Sequence, residues 1–222
     1  MANPKVGLAG IGKLGNAMME QWAEQQIPIG VYHPNTRRTE EFITQYSNGI
    51  KIEEKEISEL DVLFLALPAN KIIPFLSQRE DSKTCYINMA TSLMTNEVKK
   101  EFPDLHIAGL KFMGHATDLK EHGNGLFISE QTLPDSVIDM FKAVGTIEKD
   151  SEEVVIQVNK LATYHAVKAA VEIEEQFEKR SLPVKYKDRA WRSLAPEVMR
   201  SYSEGKLGHF GQEVVKEVKG EK

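Results

Sequence analysis

The feature that most constrains this chain is a glycine-punctuated turn near its start, Val6-Gly7-Leu8-Ala9-Gly10-Ile11-Gly12-Lys13-Leu14-Gly15-Asn16-Ala17-Met18. The run from Lys5 to Ala9 reads as a buried strand, and Ala17, Met18, Trp22 and Ala23 recur at helical spacing behind it. A G-x-G-x-x-G turn between two such elements offers backbone N–H groups, at the positive end of a helix, to a dinucleotide pyrophosphate. Each glycine has its own task. Gly10 permits the tight turn, Gly12 keeps a Cβ out of the path of the phosphates, and Gly15 lets the helix close on the strand. With Ile11, Lys13 and Leu14 between them, these residues form the expected phosphate cradle, and the expected ligand is NAD or NADP.

The choice between the two cofactors rests on the end of the next strand, Ile29-Gly30-Val31-Tyr32-His33-Pro34-Asn35-Thr36-Arg37-Arg38. A carboxylate at this point would bind both adenosine ribose hydroxyls, whereas an arginine accommodates the 2′-phosphate of NADP. No carboxylate stands there. Asn35, Thr36, Arg37 and Arg38 instead make a donor-rich, cationic loop, and guanidinium groups match phosphate oxygens with paired hydrogen bonds. NADP, as NADPH, is therefore the expected cofactor. The bland alternative is that Arg37 and Arg38 only open the next helix from its solvated side.

Size and charge narrow the class. A chain of 222 residues can bury a proper core and leaves room for one larger domain and a smaller appendage. Its net charge of -5, with acids and bases intermingled, excludes the concentrated basic face of a nucleic-acid binder. The single cysteine, Cys85, rules out an internal disulfide framework and lies in an apolar run, where a small buried side chain is expected rather than a nucleophile. No secretory signal precedes the first strand and no apolar stretch reaches membrane-spanning length, so a soluble cytoplasmic protein is expected, with no membrane partner.

Strand-like and helix-like segments alternate to about Asp150, the pattern of a doubly wound, mostly parallel α/β sheet of the Rossmann type. Expected elements include a helix from Thr39 to about Tyr46, an interior strand within Asp61–Leu67, a strand over 84–89, a helix over 95–101 capped by Thr95, and strands over 106–112 and 126–129. A helix over 133–144 and a strand over 146–149 would complete the domain. Ligands in such sheets sit beyond the carboxyl ends of the strands, so Leu67, Pro68 and the Ala90-Thr91-Ser92 segment should line the cleft. The polar stretch from Met113 to Gly125 reads as a rim loop. From Glu152 the chain turns helical, with segments over 154–179 and 188–204 and a short last helix. This predicts two domains, 1–150 for the nucleotide and 151–222 as a helical C-terminal domain.

The ordered set GLAGIGKLGNAMM, VYHPNTRR, DVLFLALPANKI, INMATS and KFMGHATDLKEHGNGLFI, followed by a helical tail, resembles the pyrroline-5-carboxylate reductases. The likeness spans most of residues 1–204 and is most specific in the first domain, where Gly10, Gly12, Gly15, Asn35, Thr36, Arg37, Leu67 and Pro68 stand at the family's cofactor positions. It implies NADPH-dependent hydride transfer and a helical dimerisation domain that carries the substrate site. The chain departs from the family at its met-pro-asn-thr-pro loop, replaced by Met113-Gly114-His115-Ala116-Thr117, and at the gly-ser-gly opening of the long helix, replaced by Val158-Asn159-Lys160.

Some features are also similar to the β-hydroxyacid dehydrogenases: Asn88-Met89-Ala90-Thr91-Ser92, Gly123-Asn124-Gly125-Leu126, and Lys160 on the long helix. A lysine facing the cleft can protonate or deprotonate a substrate oxygen as hydride moves, with burial beside the cofactor tuning its proton affinity. Lys160 is the first catalytic candidate, and the alternative is a lysine on the solvated side of an interface helix. His115 is the second, because a rim imidazole can donate a proton near neutral pH, although a loop histidine without function fits equally well. Tyr164, among Leu161, Val167 and Val171, reads as packing rather than as a donor. No histidine has companions at convincing metal spacing, and no catalytic metal is expected. The apolar positions Val154, Val158, Leu161, Val167, Val171 and Ile173 call for a partner's equivalent helix, hence a homodimer acting on a small-molecule substrate. A non-catalytic NADP-binding regulator is the competing class.

Overall fold

The fold is seen in a computed structural model that describes residues 5–80 and 83–220, leaving the first four and last two residues of the two expected domains outside the description. The chain divides into two compact units, one ending at Lys160 and the other beginning at Leu161. The division falls inside the long helix α7 (Glu152–Lys179), because Glu152 and Val155 in its first turns are buried within the first unit.

In the first unit, β1 (Val6–Ala9) leads into α1 (Lys13–Glu24), β2 (Ile29–Tyr32) into α2 (Thr36–Ile43), and β3 (Gly49–Lys51) into a 3-10 helix (Glu54–Glu59). Then β4 (Val62–Leu65) leads into α3 (Ala69–Leu76), β5 (Cys85–Asn88) into α4 (Thr95–Glu101), and β6 (Ile107–Gly109) closes the set. The six strands form a parallel sheet in the order β3-β2-β1-β4-β5-β6. This is a Rossmann-like α/β fold. Its near-continuous apolar strands, VGLA, VLFL and CYIN, suit a sheet covered on both faces. Alternation sends Leu8, Val31, Phe64 and Ile87 into one core and Ala9, Leu63, Leu65 and Tyr86 into the other. The strand order reverses direction between β1 and β4, so a crevice opens beyond their carboxyl ends.

Several expectations need correction. The apolar segment over 106–112 is not one strand: it breaks at Leu110, and β7 (Lys111–Met113) begins a second sheet with β8 (Gly125–Ser129) and β9 (Gly145–Lys149). In that sheet β7 pairs antiparallel and β9 parallel to β8, so the strand expected to complete the main sheet belongs to the smaller one. The polar stretch over 113–125 is not an open rim loop, since it contains α5 (Ala116–His122). His115 caps α5 by accepting from the Thr117 N–H, Gly123 ends it at φ 61°, and Leu119 is buried. The second helix starts at Thr36 rather than Thr39, with the Asn35 side chain accepting from the Arg38 N–H. Thr95 is the first residue of α4 rather than its cap: Met94 holds the cap position without a side-chain hydrogen bond, and the Thr95 N–H bonds to the Glu152 carboxylate.

Aromatic packing joins the two sheets. Phe141, on α6 (Asp135–Phe141), lies 4.7 Å from Phe127, 5.4 Å from Phe64 and 6.0 Å from Trp22, centroid to centroid. The buried Trp22 indole donates to the Met140 carbonyl at 3.3 Å, which satisfies the one polar group on this side chain. Cys85 is half-buried, and burial pushes its thiol pKa up, against a reactive thiolate.

The second unit holds the rest of α7, a turn through Ser181 at φ 50°, a 3-10 turn (Val184–Tyr186), and α8 (Lys187–Arg189) running through a π-turn (Ala190–Leu194) into α9 (Ala195–Ser203). A final helix, α10, spans His209–Lys219. The Trp191 indole donates to the Ala170 carbonyl and Lys187 pairs with Glu174 at 2.6 Å. None of the described residues of this unit is buried. Among the described residues no helix is long and apolar enough to cross a membrane.

The aromatic junction yields a stability test. Phe141→Ala should lower the unfolding free energy by about 3–5 kcal/mol, the range for truncating a buried aromatic, as read from urea denaturation.

Candidate functional site

Beyond the carboxyl end of β1 the three glycines of the turn meet three different constraints. Gly10 has φ +111°, and a Cβ there would strike the Ala66 backbone carbonyl at the end of β4. A Cβ on Gly15 would overlap the Gly10 carbonyl oxygen, so α1 sits as close to the turn as backbone allows. Around Gly12, by contrast, a Cβ would enter open space. That open position is where the phosphates of a dinucleotide would lie, over the N-terminus of α1, which has no side-chain cap. The residues present therefore fit a bound dinucleotide.

Gly12, Lys13 and Leu14 form one wall of a cavity of about 530 Å³. Leu67 and Pro68, following β4, and Ala90, Thr91 and Ser92, following β5, form the next. Ile156, Asn159 and Lys160, on the first turns of α7, form the third, all within the first unit. Of the expected site residues, then, Gly12, Lys13, Leu14, Leu67, Pro68, Ala90 and Lys160 come together in one cleft. Ile11 lies on the other flank of the α1 N-terminus, in a hollow shared with Ala116 and Thr117.

Asn35, Thr36 and Arg37 stand apart from that cavity, beyond the end of β2 in the N-terminal turn of α2. The Arg37 side chain is 85% exposed and its only described partner is Glu41, at 2.9 Å. An exposed pair of this kind contributes little and leaves the guanidinium free to turn to a stronger anion. His33 accepts from the Asn35 N–H through Nδ1, which steadies the approach to this turn.

The two catalytic candidates are not brought together. Lys160 is at the cleft but exposed, so the burial expected beside the cofactor is not present in the chain by itself. His115 is exposed and engaged as the cap of α5, outside the cavity lining.

Sequence reasoning missed a buried ionic cluster behind the cleft. Lys111 is fully buried, and its Nζ donates to the carbonyls of Ala90 at 2.7 Å and Leu93 at 2.9 Å. It pairs with Glu152 at 3.6 Å, and the Glu152 carboxylate also accepts from the Thr95 N–H at 2.9 Å. Burial lowers the Lys111 pKa to about 8, against the opposing pull of Glu152 and Glu130. A lysine inside the apolar run Ile107-Ala108-Gly109-Leu110-Lys111-Phe112 was a visible signal. Its partner 41 positions away was not.

Residues 5–91 match the family described as NADP oxidoreductase coenzyme F420-dependent. No curated protein sequence matches the chain. Among solved structures, a pyrroline-5-carboxylate reductase from Coxiella burnetii superposes with TM-score 0.67 at 14% identity, over 98% of this chain and 85% of the other. A reductive aminase from Aspergillus terreus, in complex with NADPH and ethyl-5-oxohexanoate, gives TM-score 0.59 at 14% identity over 92% and 79%. The Mycobacterium tuberculosis 3-hydroxyisobutyrate dehydrogenase gives 0.61 at 12% identity over 81% and 66%. The chain thus shares the fold of these three structures.

The glycine constraints separate binding from folding. Gly12→Val should leave the unfolding free energy within about 0.5 kcal/mol, since its side chain enters open space, yet weaken nucleotide binding at least about tenfold. Gly10→Ala should instead destabilise by more than about 1 kcal/mol, through both its φ and the Ala66 contact. Calorimetric titration and thermal unfolding of the two variants check the contrast.

Proposed function

We propose that the chain is an NADPH-dependent oxidoreductase of the pyrroline-5-carboxylate reductase type, reducing a small imino or keto acid as a cytoplasmic homodimer. The observation that carries this reading is the turn at Gly10–Gly15 opening onto a cleft whose far wall bears Lys160. When bound, the cofactor supplies a hydride; the chain supplies position, a dry wall and a proton. In this reading the α1 N-terminus holds the pyrophosphate and Leu67, Pro68 and Ala90 pack against the body of the dinucleotide. The α2 N-terminal turn, with Asn35, Thr36 and Arg37, holds the 2′-phosphate. Lys160 donates a proton at Nζ to the substrate nitrogen or oxygen, and substrate closing over it supplies the desolvation that the exposed side chain lacks alone. His115, as a helix cap outside the cleft, has a weaker claim to that role.

A β-hydroxyacid dehydrogenase-type reaction is the second reading, favoured by Lys160 lining the same cleft as the Ala90-Thr91-Ser92 segment. A screen of NADPH consumption over imino and keto acids separates the two. Failure of every substrate would favour a non-catalytic nucleotide-binding regulator instead. Arg37→Ala should weaken NADPH binding about tenfold, roughly 1.4 kcal/mol, and barely change NADH. Lys160→Ala should cut turnover by about a hundredfold or more with NADPH affinity kept, while His115→Ala changes turnover only a few-fold. Equal affinity for NADH and NADPH would sink the cofactor assignment.

The homodimer rests on the second unit. It has no buried residue among those described, and α7 exposes Leu161, Tyr164, Val167 and Val171 at helical spacing. A segment of this length without a core needs a covering surface, and a second copy's matching helices provide one of the same pattern. Light scattering at micromolar concentration should give twice the mass of the 25.0 kDa chain. A monomer there would contradict the assignment.

A further inference from the structure

We propose that Lys111 and Glu152 are positioning residues which clamp the two walls of the cleft to each other and thereby set the geometry of its nicotinamide end. This rests on the nucleotide reading of the cleft, but the clamp itself is a property of the chain alone.

The ion pair spans the cleft from behind. Lys111, on β7, reaches the carbonyls of Ala90 and Leu93, which bracket Thr91 and Ser92, the residues that line the cavity. Glu152 begins α7, the helix that carries Ile156, Asn159 and Lys160 to the opposite wall, and its carboxylate also accepts from the first amide of α4. The next residue on β7 makes a second tie, since the Phe112 carbonyl accepts from Asn159 Nδ2 at 3.3 Å. Strand β7 therefore holds both walls, one through a lysine side chain and the other through a backbone carbonyl and an ion pair. Asn88 braces the same loop, donating to the Leu93 carbonyl and the Thr95 hydroxyl and accepting from the Ala90 N–H.

The chemistry of the clamp points to geometry rather than stability. Two fully desolvated charges rarely stabilise a fold more than an apolar pair of the same volume, and Glu152 Oε1 is buried with no hydrogen-bond partner among the described residues. Gly109 makes room for that carboxylate, since a Cβ there would overlap Oε1. What the pair does that an apolar pair cannot is fix two loop carbonyls and one helix start to a common point. An ammonium with three donors can be shared among these acceptors, whereas a methionine of similar length cannot.

The test uses Lys111→Met and the double variant Lys111→Met/Glu152→Gln, which removes the unpaired buried charge left by the single change. Three measurements are made on the full chain: amide exchange across residues 89–94 without nucleotide, affinity for 2′,5′-ADP, and the fluorescence of bound NADPH. Exchange in that segment should quicken at least tenfold in both variants. Unfolding midpoints should recover in the double variant while that segment stays loose. Affinity for 2′,5′-ADP should hold within twofold, because the adenosine end is remote, and the nicotinamide fluorescence enhancement should be lost. Exchange over 89–94 unchanged within twofold in the double variant would overturn the clamp, as would a rise spread evenly over the chain, the mark of a merely structural pair. If the unsubstituted protein binds neither nucleotide, the proposed function falls, and exchange in the nucleotide-free protein still decides the clamp.

Discussion

The close backbone approach at the end of β1 underlies the rest of this structure. The Ala66 N–H bonds to the Ala9 carbonyl at 2.9 Å, carrying the pairing of β1 and β4 one residue past the strands. Gly10 then turns against the Ala66 carbonyl with a backbone conformation that side chains disfavour, and Gly15 sits against the Gly10 carbonyl. Nothing but hydrogen fits at either contact. Because both contacts are filled by backbone, α1 starts directly above the point where the sheet changes direction, and its free N–H groups face the crevice there. Moving the helix away by the width of one methyl group would open both contacts and shift its N-terminus from the crevice.

The second dependence is on aromatic packing. Trp22 lies on the buried face of α1 and packs on Phe64 of the main sheet and Phe141 of α6, and Phe141 packs in turn on Phe127 of the small sheet. The small sheet is thereby anchored to the same helix whose N-terminus forms the cradle. Strand β7, at the edge of that sheet, presents Lys111 behind the cleft loop and Phe112 to the start of α7. The cleft is thus walled by elements packed on one or other of the two cores of the first unit, and Lys160 is among its exposed members.

Much of the main sheet was legible because parallel, doubly covered strands are continuous apolar runs, and 62–65 and 85–88 are read directly from composition. Periodicity failed where one apolar run served two sheets, since Ile107 to Phe112 has no polar break at Leu110 to mark the change of partner. It failed again at α5, where a single buried residue, Leu119, supports a helix that polar composition disguises. Of the candidate site, the glycine cradle and the cleft-lining Leu67, Pro68 and Ala90 could be placed from spacing alone. Lys111 and Glu152 could not, because their pairing joins a strand and a helix far apart in sequence.

By itself the sequence determined the glycine-punctuated strand–turn–helix, the cationic turn after β2, and the alternation that builds a parallel sheet, because each follows from local conformational preference and short-range periodicity. Only the tertiary structure decided that His115 caps a helix instead of facing the cleft, that the last strands form a sheet of their own, and that a buried lysine stands behind the cleft loop. Those outcomes depend on which surfaces meet across the fold, and the free energy of burying one face against another is not a property of any single segment.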